Sequence, residues 1–411
     1  MARSLGLAAY RALTRRGEVP KDAPVQPRPK GELVWLHAGE VGNLLAVQDL
    51  AARLISTRTD LSVLITLPDD EASPTRSAPP RTDSAILQIN APSEHPAAVS
   101  AFLDHWSPDA AIWVWGGLRP NLILEATDRA CPMFLIDADV GGFDKRRDRW
   151  LPDLTRQLLT RFKAVFARSA AGQRRLVQLG LLSDEVEQTS PLLAGGQALG
   201  CSDTDLTELS AAMGGRPAWF AAQLLPKEIP IILSAHKRAS RLSHRLLLIL
   251  QPSAPGQAQT AVDQATEQNL NVIRWEEGQF PDETTQVMVT DDVANQGLFF
   301  RVAPVSFLGS TLIQGEGGCD PLDAAALGSA ILYGPRVRHF MASYSRLAAA
   351  GAARIVNDAD ALGAAVSTLI APDHAATMAH AGWDVISQGA ALTDKVVDLV
   401  QDTLDLELSR P

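Results

Sequence analysis

The residues of this 411-residue chain best suited to chemistry lie in Gly315-Glu-Gly-Gly-Cys-Asp-Pro-Leu-Asp-Ala-Ala-Ala-Leu-Gly328, followed closely by Gly334-Pro335. The stretch predicts a glycine-rich turn that opens a helix. Asp320 suits the N-cap, Pro321 the first helical position and Asp323 the first turn. A turn of this kind offers backbone N–H groups and the positive end of a helix dipole to an anion such as a nucleotide phosphate. A first-turn carboxylate is then placed to accept hydrogen bonds from ribose hydroxyls. An ordinary capped helix in an α/β domain carries the same signature, so the motif alone leaves both readings open. Cys319, inside the motif, reads either as a reactive thiol or as a small structural one.

Other clusters speak more weakly. Asp291-Asp292 suits a helix cap better than a metal site. His236 and His244 fall in a basic helical segment with Lys237, Arg238, Arg241 and Arg245, which predicts a solvated charged face. Trp113 and Trp115 share one face of a strand and suit packing. No Walker A sequence, HExxH, serine-centred elbow or metal-ligand quartet is present.

The elements that must position these residues read as a series of short apolar strands with helices between them. In the first half they are Leu33–His37, Leu61–Leu67, Ala85–Ile89, Ala110–Trp115, Met133–Asp137, Ala164–Ala167 and Val186–Ser190. A polar stretch, 194–216, separates these from Pro217–Ala222, Arg245–Leu250, Asn271–Arg274, Gln286–Thr290, Val302–Leu308 and Ala330–Tyr333. The tail 373–406 is helical in pattern. Alternation of this kind predicts α/β architecture, with parallel sheets covered on both faces and ligands beyond the carboxyl ends of the strands.

Composition narrows the function classes. A hydrophobic content of 46% with 20% charged residues describes a folded chain, and the length suggests two domains or more. Three widely spaced cysteines fit a reducing compartment. A net charge of −10 argues against nucleic acid as a partner. Residues 1–30, however, carry a net +5. The apolar Leu5–Leu13 within them is too short to span a bilayer and suits either an anionic membrane surface or a solvated helical tail. Asp22–Lys30 reads as a linker.

Several landmarks occur in one order: Trp35-Leu-His-Ala-Gly-Glu-Val-Gly42, Leu118-Arg-Pro-Asn-Leu122, Arg216-Pro-Ala-Trp-Phe-Ala-Ala222, Ala235-His-Lys237, Leu246-Leu-Leu-Ile-Leu250, Gly315 to Gly328 and Gly334-Pro335. The ordered set, from about residue 33 to about 395, resembles the bacterial transferases of 3-deoxy-D-manno-octulosonic acid (Kdo), and the chain is a divergent member of that pattern. The resemblance implies a GT-B fold, with two Rossmann-like doubly wound domains and an interdomain cleft. It implies Kdo transfer from CMP-Kdo to a lipid A precursor in lipopolysaccharide synthesis, by inverting displacement, with no metal and no cofactor. The protein would be peripheral, on the cytoplasmic face of the inner membrane. The implied organisation is a basic segment over 1–30, an acceptor-side domain over 31–195, a donor domain over 214–395 and a tail over 396–411.

The resemblance also implies site residues. The family's expected catalytic glutamate falls at Asn43, which cannot act as a base, and Glu40 is the substitute. Glu40 also suits a solvent-facing or capping position. Gly42, Arg119 and Asn121 fall on the acceptor side. Arg119 replaces a tryptophan, Gly117 an acid, and the guanidinium suits either a bidentate contact to phosphate or carboxylate or a plain surface position. Gly309, Ser310, Gly317, Gly318, Asp320, Asp323, Gly334 and Pro335 fall around the donor nucleotide. Asp137-Ala-Asp139 stands where the family has Asn-Ala-Arg, and Pro252-Ser-Ala-Pro255 where it has Pro-Arg-His-Pro. These departures favour two alternatives to the active transferase: a paralogue that binds or regulates without catalysis, and a GT-B enzyme with another donor.

Overall fold

The computed structural model describes residues 5–15, 26–40, 43–68, 84–141, 152–196, 198–315 and 317–408. They form two compact units, 1–194 with 389–411 and 195–388. The first contains β1 (Glu32–Ala38), β2 (Leu61–Leu67), β3 (Ile86–Asn90), β4 (Ala110–Val114), β5 (Met133–Ala138), β6 (Ala164–Ala167) and β7 (Val186–Gln188). They make one sheet in the order β3-β2-β1-β4-β5-β6-β7. Every pairing in it is parallel; Val34, for example, lies beside Val63 on one side and Ala110 on the other. The second unit holds β8 (Ala218–Leu224), β9 (Leu247–Pro252), β10 (Val272–Arg274), β11 (Val287–Val289), β12 (Val305–Leu308), β13 (Ala330–Tyr333) and β14 (Ala353–Ile355). Its order is β10-β11-β9-β8-β12-β13-β14, again all parallel.

Helices cover both faces, which is why the central strands are continuous apolar runs and not alternating ones. All of β2, β4, β5, β9, β12 and β13 is buried. Trp35, Trp113, Phe102 and Leu122 centre the core of the first unit, and Trp219, Phe307, Ile232 and Leu248 that of the second. Burying aromatic and branched side chains of this size contributes about 1.5–3 kcal/mol each.

The structure adds detail to two stretches of the sequence reading, the separator and the tail, the latter helical as expected. The separator around 194–216 contains a helix, Asp203–Met213, whose polar surface hides it from a search for apolar runs. Ser202 caps its start by accepting from Asp205 N, and Gly214 ends it in the left-handed region. The C-terminal tail is two helices, Pro372–Ser387 and Ala390–Leu408. The second belongs to the first unit, where it packs on the helix Leu44–Thr57 and on β4. Arg58 ties to it through Asp405 at 2.8 Å, and Lys395 pairs with Glu187. Two Rossmann-like units in one chain, with the last helix returned to the first, constitute the GT-B class.

The topology decides where chemistry can occur. In the first sheet β1 and β4 are neighbours, yet the chain leaves β1 toward β2 and β4 toward β5. In the second, β8 and β12 are neighbours in the same sense. Loops that depart in opposite directions from adjacent parallel strands leave a crevice at their carboxyl ends.

Candidate functional site

In the first unit the loops leaving β1 and β4 cross backbone on backbone. A Cβ on Gly39 would lie 2.6 Å from the Val114 carbonyl oxygen and 2.8 Å from Gly116 Cα, so only glycine allows this approach. The crossing fixes Glu40 immediately beyond β1. Its carboxylate is exposed, and its carbonyl accepts from Asn43 N at 3.1 Å. Asn43 begins the helix Leu44–Thr57 without a side-chain cap, and its amide donates to the Trp115 carbonyl at 3.4 Å. Gly42 lies outside the described residues. Beneath the loops, His37 is buried against Trp113, with ring centroids 4.0 Å apart and Nδ1 2.9 Å from Thr66 Oγ1. Burial, and then the nearby Arg119 charge, push the His37 pKa down to about 3, so the ring is neutral packing.

From β4 come Arg119 and Asn121, and both are held internally. Arg119 donates to the Pro92 carbonyl, and its Nε lies 3.7 Å from Glu94 Oε1. Asn121 is buried; its amide donates to the Glu94 carbonyl at 2.7 Å and to Thr14 Oγ1 at 2.9 Å. Glu94 itself accepts from Asn121 N at 2.9 Å and from the Tyr10 hydroxyl at 3.0 Å. One carboxylate thus caps the helix Pro120–Asp128, restrains Arg119 and docks the N-terminal helix Leu5–Thr14. Leu13 of that helix is exposed. No helix among the described residues is long and apolar enough to cross a membrane.

At the end of β5, Asp137 is 2% exposed and adopts φ +61°. It accepts from Leu192 N at 2.9 Å and from Arg168 Nη2 at 2.7 Å; Asp139 lies 3.9 Å from Arg168 Nε. The acidic Asp137-Ala-Asp139 therefore holds a cation supplied by the next strand. Burial still outweighs these partners and pushes the Asp137 pKa up to about 6. The native state then binds this proton more tightly than the unfolded chain, whose value is near 3.8, so stability falls as pH rises between those values. Asp137→Asn is expected to flatten that slope. Urea midpoints at about pH 4.5 and about pH 7 check it, because a group that ionises only in this window moves one far more than the other.

In the second unit the loops leaving β8, β12 and β13 interlock. Glu228, fully buried, accepts from Leu225 N at 3.0 Å, Ser310 N at 2.7 Å, Thr311 N at 3.0 Å and Leu312 N at 2.8 Å. An internal carboxylate thus fills the nest of N–H groups after β12. Ser310 is committed further, since its hydroxyl donates to the Gln223 carbonyl at 2.9 Å. Gly309 N donates to the Ala222 carbonyl and Gly334 N to Thr311 Oγ1, which locks the three loops together; Pro335 is exposed beyond them.

The glycine-rich turn lies on this platform. Its helix is short, Leu322–Ala326, and starts at Pro321 without a side-chain cap at that residue. Asp320 Oδ1 accepts from Leu322 N at 3.0 Å, and Asp323 is half-buried in the first turn. Five residues make a weak dipole, so whatever anion affinity the turn has must come mainly from charged side chains and from Gly317 and Gly318, at φ +88° and +93°. Cys319 is buried and donates to the Gly309 carbonyl; burial, with Asp320 and Glu228 nearby, pushes its thiol up to about 12. It is structural. Asp292 caps Ala294 N at 2.8 Å, and Asp291 accepts from Gly256 N at 2.7 Å. Among the described residues no group of three or more His, Cys, Asp or Glu is placed to hold a metal.

His236 corrects the sequence reading: it is fully buried, with Trp219 Nε1 donating to its Nδ1 at 3.2 Å. Four groups escaped that reading: Glu94, Arg168, Glu228, and Arg338 with His339. Glu228 stands at a helix start and reads as a plain cap; Arg338 and His339 lie three and four residues after Pro335, which was the one signal available.

Comparison with known proteins finds one recurring family. The profile of the 3-deoxy-D-manno-octulosonic-acid transferase (kdotransferase) family matches residues 11–192. The 3-deoxy-D-manno-octulosonic acid transferase of Haemophilus influenzae is 23% identical over 92% of this chain and 88% of its own length. That of Bordetella pertussis is 26% identical over 92% and 89%. Among solved structures, the C-terminal CMP-Kdo binding domain of WaaA from Acinetobacter baumannii is similar at 21% identity and TM-score 0.41, over 44% of this chain and 96% of that one. The family profile thus covers the first unit, and relatives named as Kdo transferases align over 92% of the chain at 23% and 26% identity, so the chain is similar to the Kdo transferase family over nearly its whole length.

Proposed function

We propose that the protein transfers Kdo from CMP-Kdo to a lipid A precursor, acting peripherally at the cytoplasmic face of the inner membrane. The observation that carries the reading is placement. Glu40, Asn43, Arg119 and Asn121 flank the β1/β4 switch point, and Gly309, Ser310, Gly317, Gly318, Asp320, Asp323, Gly334 and Pro335 gather at the carboxyl ends of β12 and β13. The acceptor hydroxyl oxygen attacks the anomeric carbon of Kdo, its bond to the CMP phosphate breaks, and CMP departs with the electron pair. Glu40 takes the hydroxyl proton. Asp323 receives the ribose hydroxyls, and the glycine turn admits the nucleotide close to the backbone. The helix Leu5–Thr14, docked through Tyr10 on Glu94, faces the lipid surface with Leu13.

The test is incubation of purified protein with CMP-Kdo and a lipid A precursor, with the lipid mass followed. Addition of Kdo mass is expected. A second reading, a catalytically silent binding paralogue, is favoured by the amide at Asn43 and by the absence of a cation in Pro252–Pro255. Protection by CMP against thermal unfolding without any gain in lipid mass would select it. A donor other than CMP-Kdo would show as protection by a different nucleotide.

A further inference from the structure

The loop after β13 carries a basic cluster whose groups face the glycine-rich turn. Between Asp323 and Asp358 the chain has no acidic residue, while Arg336, Arg338 and His339 fall together in six residues after Gly334. Gly317 is packed against two of them: a Cβ there would lie 2.7 Å from Arg338 Cγ and 2.9 Å from Arg338 Nε, and would overlap the His339 ring. His339 N donates to the Gly317 carbonyl at 3.3 Å. Arg338 Nε donates to His339 Nε2 at 3.2 Å, which orients both side chains and leaves the ring proton on Nδ1. The terminal nitrogens of Arg338 have no acceptor, and the guanidinium no ion pair, among the described residues.

An arginine fork held at Nε with its far edge open, beside an imidazole N–H, is a donor set for a planar or tetrahedral oxyanion. The position matters as much as the charge. The nest after β12 is already filled by Glu228, and the loop leaving β9, Pro252–Pro255, has no cation. The cluster therefore places positive charge directly against the turn, where the loop leaving β9 offers none.

We propose that Arg338 and His339 form the anion-binding site of the second unit and hold an acidic group of the donor, either the nucleotide phosphate or the sugar carboxylate. The donor's identity rests on the reading given under Proposed function; the existence of an anion site rests on the geometry alone. Thermal stabilisation by inorganic phosphate, cytidine, CMP and free Kdo, with affinities by calorimetry, tests it in the full chain. Wild type is expected to be stabilised by phosphate, and Arg338→Ala and His339→Ala to lose that effect; Arg338→Lys is expected to retain part of it. If the phosphate is the group held, Arg338→Ala weakens CMP binding by about tenfold to hundredfold and leaves cytidine unchanged, the loss of one charge-assisted hydrogen bond. If it is the carboxylate, CMP binding is unchanged and free Kdo binding falls by the same factor. A wild type that phosphate, CMP and Kdo all fail to stabilise, or variants that bind all three like wild type, overturns the site. Phosphate binding that needs Arg338, with CMP and Kdo no tighter than phosphate, preserves the site and refutes the donor reading.

Discussion

Glu228→Ala is expected to destabilise the second unit by about 3–5 kcal/mol and to abolish nucleotide binding with it. The magnitude follows from what the carboxylate does. It is wholly inaccessible and satisfies four backbone N–H groups, three of them consecutive in the loop after β12. Each buried donor left without an acceptor costs about 1–3 kcal/mol, and only partial relaxation or water entry keeps the sum from being additive. Glu228→Gln replaces one carboxylate oxygen by an NH₂ that confronts N–H groups, so it is expected to recover little. Urea unfolding followed by tryptophan fluorescence checks the first part, since Trp219 reports on the second unit from within its core. Calorimetric titration with CMP checks the second: Ser310, Thr311 and Gly334 are in one hydrogen-bonded system with Glu228, and the glycine-rich turn rests on it. A variant that folds with an unchanged midpoint would show that the nest is hydrated and that Glu228 is dispensable.

What the sequence disclosed and what it concealed divide along a physical line. Leu61–Leu67 and Ala330–Tyr333 are read with their observed bounds, because a buried parallel strand is a short apolar run between breakers. β14 escapes, since Arg354 and Ile355 in its three residues are exposed at the sheet edge. The helix Asp203–Met213 escapes because it buries only Leu209 and Met213. The glycines of the site were visible, since a close approach of backbones leaves only one residue type. Partners were not. Nothing local tells that Lys237 and Arg238 are solvated while His236, one residue earlier, turns into the core, or that Glu228 reaches Ser310 82 residues away. Those facts depend on strand order, and strand order is set by the whole sheet.

Glu40→Gln is expected to lower the rate of Kdo transfer by about 10²–10⁴-fold, the usual worth of a general base, with CMP affinity and folding unchanged. The two halves of that expectation have different causes. Stability is spared because the Glu40 side chain is exposed and makes no side-chain hydrogen bond or ion pair among the described residues; a surface substitution of that kind stays within about 0.5 kcal/mol. The rate is not spared because the loop crossing at Gly39 and Gly116 presents this carboxylate, and no other from β1, at the switch point. Asn43→Glu provides the decisive companion. Among the described residues its amide makes one long hydrogen bond, to Trp115, and a carboxylate at the start of the helix Leu44–Thr57 is favoured by the helix dipole. The substitution should therefore fold normally and restore a base at the family's position. Partial recovery of the Glu40→Gln variant by Asn43→Glu, read as lipid mass per unit time, would place proton removal at this loop end. Wild-type transfer that Glu40→Gln leaves untouched would remove Glu40 from the reaction, and transfer that only Asn43→Glu confers on an otherwise silent wild type would identify a transferase site whose base has been lost.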